Sequence, residues 1–237
     1  MLIADHLTLG HRLQGVDLHL APGTTTAILG PNGAGKSTLL AALAGLLKVG
    51  GRIRWQDRDL PRIPFLERGR ILAWLGQESG AEFAFSVREV VAQGRFAWGD
   101  EDEAAIACAM ATLDIEHLAD RRVTELSGGE RRRVFLARSL ATGAPLQLWD
   151  EPASNLDVRH ALEVYRLAAL LAQGGSTVAI TLHDIRAAYH FDQVLVLEQG
   201  RLVGAGKPHD VLTADLIREV FRVEARFITS LVPELPE

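Results

Sequence analysis

The chain has 237 residues, 48% hydrophobic and 23% charged, with a formal net charge of −5. That length carries one sizeable core, or a core with a subdomain. The mild acidity gives no electrostatic case for a nucleic-acid partner, and a single cysteine, Cys108, excludes an internal disulfide.

In chain order, residues 2–9 and 15–20 read as strands. In the second, Val16, Leu18 and Leu20 alternate with Asp17 and His19. Ala21-Pro22-Gly23 turns the chain into a buried strand, Thr26-Ala27-Ile28-Leu29. Next comes Gly30-Pro31-Asn32-Gly33-Ala34-Gly35-Lys36-Ser37-Thr38, followed by an apolar helix over 39–44. It fits G-x-x-x-x-G-K-[ST] in the strand–loop–helix setting of a phosphate-binding loop. The glycines let consecutive N–H groups turn inward, and the helix adds its positive end. Lys36 brings an ammonium to β- and γ-phosphates, and Ser37 offers a hydroxyl to Mg²⁺.

Gly50-Gly51 then breaks the chain, 52–55 alternates as a strand, and Pro61 and Pro64 punctuate a loop. A short buried strand over 71–76 ends at Gln77. From 86 to 141 the pattern is helical. An acidic loop at 100–103 reads as solvated, since nothing near it completes a metal-ligand set. Cys108 sits in an apolar helical run, 104–113, and reads as core packing. From Pro145 the strand–helix alternation returns: strand 146–149, helix 159–172, strand 176–182 and a short helix 185–190. A hairpin of 194–197 with 201–203 and a helix over 211–221 follow. The tail from 232 reads as loose. The N-terminus carries no basic-then-apolar signal pattern, and the longest apolar stretch, 39–47, is too short to span a bilayer. The expectation is a cytosolic protein that meets a membrane through a partner.

Two further stretches carry chemistry. Leu146-Gln147-Leu148-Trp149 ends in Asp150 and Glu151. An aspartate at the carboxyl end of such a strand can hold Mg²⁺ opposite Ser37. Glu151 would then activate water against the γ-phosphate. Leu126-Ser127-Gly128-Gly129-Glu130 reads locally as an N-cap with a capping box. That does not explain two adjacent glycines, which permit close backbone approach to a ligand at a helix N-terminus. Arg131-Arg132-Arg133 invites a nucleic-acid reading. On a helix the three point in different directions, so salt bridges and support of the nucleotide site are the expectation.

In their order and spacing, these elements resemble the nucleotide-binding subunit of an ABC transporter over nearly the whole chain. Walker A is 30–37, the signature 126–130, and Walker B 146–150 with Glu151 following. The resemblance implies an α/β fold: a P-loop NTPase core, RecA-like, with an N-terminal antiparallel β part and an inserted α-helical subdomain. The implied division is core 1–78 and 143–223, helical subdomain 79–142 and tail 224–237. ATP and Mg²⁺ are the implied ligands. The nucleotide would touch residues 30–38, Ser127, Gly128, Gly129 and Asp157 of the D-loop 154–157. Mg²⁺ would touch Ser37, Gln77 and Asp150. Glu151, Gln77 and the switch-like His183 would be catalytic. In such proteins ATP lies between two head-to-tail subunits, so a homodimer is implied. Integral membrane permease subunits, a periplasmic or surface substrate-binding protein and a place on the cytoplasmic face of the cell membrane are implied too.

The segment Leu9-Gly10-His11-Arg12-Leu13 departs from the family by lacking the usual aromatic that stacks on adenine. His11 or Arg12 could stack instead. Softer features narrow the resemblance to importers of iron–siderophore, haem and vitamin B12. They are 83–91 with Gly94-Arg95, the run 183–188, and Gly206-Lys207-Pro208 with 210–213. Phe83 and Phe85 are expected to line a groove for a short helix of the membrane subunit. A non-transport ABC ATPase acting on DNA or ribosomes is the competing class, but the chain shows no heptad run.

Overall fold

The computed structural model describes residues 1–76, 85–154 and 156–226. The N-terminal strands β1 (Leu2–Leu9) and β2 (Leu13–Leu20) pair antiparallel. β3 (Thr25–Leu29) leads through the glycine-rich loop into α1 (Lys36–Leu43). β4 (Gly50–Trp55) and the short β5 (Arg58–Asp59) complete an antiparallel sheet of order β2-β1-β4-β5. Then come α2 (Phe65–Ile71), β6 (Leu72–Leu75), α3 (Val87–Ala92), α4 (Glu103–Thr112) and α5 (Gly128–Ala141). The last third holds β7 (Leu146–Asp150), α6 (Val158–Gln173), β8 (Thr177–Thr181), β9 (Gln193–Glu198), β10 (Arg201–Gly206), α7 (Pro208–Val211) and α8 (Ala214–Phe221).

The second sheet has the order β10-β9-β3-β8-β7-β6, parallel throughout except for the β9–β10 hairpin. Its central strands β3, β8 and β7 are buried along their whole length, because both faces of the sheet are covered there. Strand residues alternate between two cores. Ile28, Leu148, Ala179 and Leu195 pack with α1 and the antiparallel sheet. Ala27, Leu29, Trp149, Ile180 and Val196 pack with α3, α4 and α5. Trp149 is fully buried. Its indole N–H reaches Ser139 Oγ at 3.0 Å and Gln147 Oε1 at 3.1 Å, and Gln147 Nε2 donates to the Ala144 carbonyl at 2.8 Å. The network satisfies polar atoms that would each cost roughly 1–3 kcal/mol if left unpaired.

Three expectations need correction. Cys108 is exposed. α4 turns Ile106, Ala109 and Met110 to the core, a spacing of three and four that leaves 108 on the outer face. The proline-punctuated stretch after 60 is helical: Pro61 sits in a 3₁₀ turn, Leu60–Arg62, and Pro64 is the N-cap of α2. Proline suits a first turn, where its missing N–H has no partner to lose. The helix expected over 211–221 is two helices, because Thr213 caps a new one with its hydroxyl on the Leu216 N–H at 3.2 Å. The acidic loop is tied down as well as solvated. The Arg95 guanidinium grips both oxygens of Asp100 at 2.8 Å, and Asp102 caps α4.

Candidate active site

β3, β8 and β7 lie side by side and run in parallel, so their carboxyl ends share one sheet edge. The glycine-rich loop follows β3, Glu151 follows β7 and His183 follows β8. Ligands bind at that edge of open parallel sheets, where loops leave the strands and helix N-termini begin.

The loop is held by distant backbone. A Cβ on Gly30 would stand 2.3 Å from the Leu197 carbonyl oxygen, and one on Gly35 would stand 2.5 Å from that of Arg12. Gly30 and Gly35 also have φ of 152° and 104°, which favour glycine. The Gly200 N–H, in the β9–β10 turn, donates to the Ala34 carbonyl at 2.9 Å. Lys36 is buried, and its ammonium donates to the carbonyls of Gly30 at 2.8 Å and Pro31 at 3.3 Å. Burial pushes its pKa down from the ordinary lysine value, while Glu151 and Asp150 oppose that shift.

The two carboxylates differ. Asp150 is almost fully buried and accepts a 2.5 Å hydrogen bond from the Thr181 hydroxyl. Glu151 takes a positive φ of 51°, with its N–H on Thr181 Oγ1 at 2.8 Å. Glu151 Oε1 lies 2.6 Å from His183 Nε2. Beneath them, Arg132 donates to the backbone carbonyls of Gly76 at 2.7 Å, Pro152 at 3.3 Å and Asp150. Of the salt bridges expected of 131–133, Arg133 makes a long one, 4.0 Å to Asp114, and carbonyl contacts are the commoner partners. Arg131 reaches Leu126 and Arg133 reaches Leu113 and Asp114. Burial lowers the Arg132 pKa below the ordinary arginine value, opposed by Asp150 and Glu151.

A cavity of about 510 Å³ joins these parts, lined by His11, Arg12, residues 32–38, Glu151 and His183. Thus Asn32, Gly33, Ala34, Gly35, Lys36, Ser37 and Thr38 meet Glu151 and His183 in one space, which His11 and Arg12 also line. Gly30 and Pro31 serve as acceptors for Lys36. Asp157 caps α6, accepting from the His160 N–H at 2.9 Å, and does not line this cavity. Nor do Ser127, Gly128 and Gly129. Ser127 caps α5 in a full capping box with Glu130, with 2.8 Å from its N–H to Glu130 Oε2. Gly128 would meet nothing within 4 Å if it carried a Cβ. Gln77 and Phe83 lie outside the described residues.

Sequence reading missed Thr181 and Gly200, whose only local signals were a strand end and a hairpin turn. It also missed a groove of about 470 Å³ lined by Phe65, Gly69, Trp74, Phe96 and Arg138 among others. Phe65 and Phe96 are 69% and 70% exposed, while Phe85 is exposed but does not line it. None of the described helices is long and apolar enough to cross a membrane.

A profile described as ABC transporter matches residues 13–154. The chain is 46% identical over 217 residues to the hemin import ATP-binding protein HmuV of Nocardia farcinica, covering 89% of this chain and 75% of that one. It is 40% identical over 244 residues to HmuV of Shewanella denitrificans, covering 98% and 96%. Among solved structures, cbiO1 of Clostridium perfringens, part of the ABC transporter complex cbiONQ, superposes with a TM-score of 0.78 at 28% identity. That match covers 92% of each chain.

Proposed function

We propose that this chain, which belongs to the ABC transporter family, is the ATP-hydrolysing subunit of an importer of haem or a closely related metal chelate. The observation that carries the ATPase reading is the single cavity joining Lys36 and the loop 32–38 to the Glu151–His183 pair. The haem reading is supported by the relatives named as hemin import proteins. Iron–siderophore and vitamin B12 are its nearest competitors.

Each residue then has a role. Lys36 and the inward N–H groups bind and neutralise the β- and γ-phosphates, and His11 or Arg12 takes the base. Asp150 and Ser37 would hold Mg²⁺: one carboxylate and one hydroxyl suit an ion that keeps waters and completes its shell with phosphate. Bound there, the ion neutralises charge on the phosphate oxygens. Glu151 orients water and takes its proton, and His183, by its contact with Glu151, senses the γ-phosphate. Arg132 locks the turn that carries both carboxylates.

The signature residues act in trans. Ser127–Gly129 do not line the cavity of their own chain, and Gly128 faces open space. That glycine answers to something outside the chain's own packing, namely the nucleotide of a partner cassette in a two-fold dimer. Asp157 belongs to the same interface. The subunit is membrane-associated through a permease, fed by a substrate-binding protein. The division into core 1–78 and 143–223, helical subdomain 79–142 and tail 224–237 is part of this reading.

The test is reconstitution with the cognate permease and binding protein in vesicles, measuring ATP-dependent uptake of haem, a ferric siderophore and cobalamin. Haem uptake abolished by Glu151→Gln is the expected result. Uptake of cobalamin alone would replace the cargo, and no ATP-driven uptake of any of the three would overturn the importer reading.

A further inference from the structure

We propose that Thr181 is a positioning residue for hydrolysis: one buried hydroxyl sets both the side chain of Asp150 and the backbone of Glu151. The proposal rests on the reading of those two carboxylates given above.

Thr181 ends β8, in register with Asp150 across the parallel β7–β8 pair, and is fully buried. Its Oγ1 stands 2.5 Å from Asp150 Oδ1 and 2.8 Å from the Glu151 nitrogen. Hydrogen bookkeeping fixes the direction of each bond. The Glu151 N–H can only donate, so Oγ1 accepts there, and the one hydroxyl proton goes to the Asp150 carboxylate. The threonine is thereby committed at both ends. It fixes the carboxylate by one oxygen and leaves the other to be presented.

The bond to Glu151 matters more, because Glu151 has a φ of 51°. A residue with a side chain holds that conformation only when its surroundings impose it. Hydrogen bonds among the described residues contribute to this: the Glu151 N–H to Thr181, and the Ser154 N–H to the Glu151 carbonyl at 3.0 Å. This conformation sends the Glu151 side chain toward His183, 2.6 Å away. Removing the hydroxyl takes away the acceptor of the Glu151 N–H and loosens the backbone, which swings the carboxylate off the water it must orient. Misplacement of a reacting group by about 1 Å can cost about 10²-fold in rate.

The experiment compares Thr181→Val, which keeps the shape and loses the hydroxyl, with Thr181→Ser, which keeps the hydroxyl. Thr181→Ala is the second variant if valine does not fold. Steady-state hydrolysis, nucleotide affinity by calorimetry and melting temperature are measured for each, alone and on a Glu151→Gln background. Thr181→Val should lower kcat by about tenfold or more with ATP affinity changed less than about threefold, and Thr181→Ser should restore most of the rate. On the Glu151→Gln background Thr181→Val should cost less than it does in the wild type, because the part acting through Glu151 is already lost and only the Asp150 contact remains to lose. A Thr181→Val or Thr181→Ala enzyme with wild-type kcat would overturn the proposal. So would a Thr181→Val loss as large on the Glu151→Gln background as in the wild type, or a kcat loss matched by an equal loss of affinity. If Glu151→Gln itself kept full turnover, the reading of Glu151 as base would fall and Thr181 with it. If Glu151→Gln is inactive and Thr181→Val keeps the wild-type kcat, only the role of Thr181 falls.

Discussion

Nε2 of His183 lies 2.6 Å from Oε1 of Glu151, so the proposed γ-phosphate sensor and the proposed base are in direct contact. The His183 side chain is about half exposed and that of Glu151 almost buried, so the histidine is the partner free to turn. A γ-phosphate that draws the imidazole toward itself releases that carboxylate oxygen for water. Glu151→Gln keeps the shape and removes the base. Its single-turnover phosphate release should fall by about 10²–10⁴-fold. His183→Ala should lower kcat more than it raises KM. Equal kcat in wild type and His183→Ala would show that the pairing has no catalytic part.

Lys36 is the one cation that the loop folds inward among the described residues lining the cavity. A hydrogen bond to a charged group contributes roughly 1.5–3 kcal/mol. Lys36→Ala should therefore weaken ATP about 10–100-fold, at 1.4 kcal/mol per tenfold. Titration calorimetry checks this, and unchanged affinity would remove the loop from the phosphate site. Chelation of Mg²⁺ should stop hydrolysis.

The described residues lining the cavity include His11 and Arg12 but no Phe, Tyr or Trp. Aromatic stacking on a base is worth about 1–3 kcal/mol in single-strand binding. Without it, ATP and GTP should compete within about a hundredfold of each other, and Arg12→Ala should weaken both alike. Competition titrations decide this, and a larger preference for ATP would mean that another group reads the base.

The hydrogen bond from Arg95 holds the Asp100 carboxyl below the usual aspartate range. The folded pKa is thus lower than the unfolded one. The stabilisation is present above the unfolded value near ~3.9 and is lost as pH falls through the folded value. The melting temperature of the wild type should exceed that of Asp100→Asn at pH 6, with the gap closing as pH falls below about 4. A gap that persists to pH 2 would mean that the contact contributes through shape rather than charge.

Phe65 and Phe96 face solvent across the groove that Trp74 and Arg138 floor. The double variant Phe65→Ser, Phe96→Ser should lose co-purification with the permease while keeping ATP affinity. Phe85→Ser should keep both. Intact assembly in the double variant would put the docking surface elsewhere.

What the sequence determined by itself is what contiguous residues can build. The phosphate loop, the capping box of Ser127 and Glu130, and a strand delivering Asp150 and Glu151 each need only neighbours along the chain, and each was legible. So was the alternation of strands and helices, because burial on a sheet face or helix stripe imprints its period. Tertiary structure alone decided the rest. Cys108 faces out because the core lies on the other side of α4, which an almost uniformly apolar stretch does not reveal. The groove draws on residues 65–74, 93–97 and 138–142, none of which points to the others in sequence. Gly200 meets Ala34, and Thr181 meets Asp150 and Glu151, because β3, β8, β7 and the β9–β10 turn come together at one sheet edge. A hydrogen bond between residues 31 apart is set by strand register, and register is a property of the packed sheet rather than of either strand.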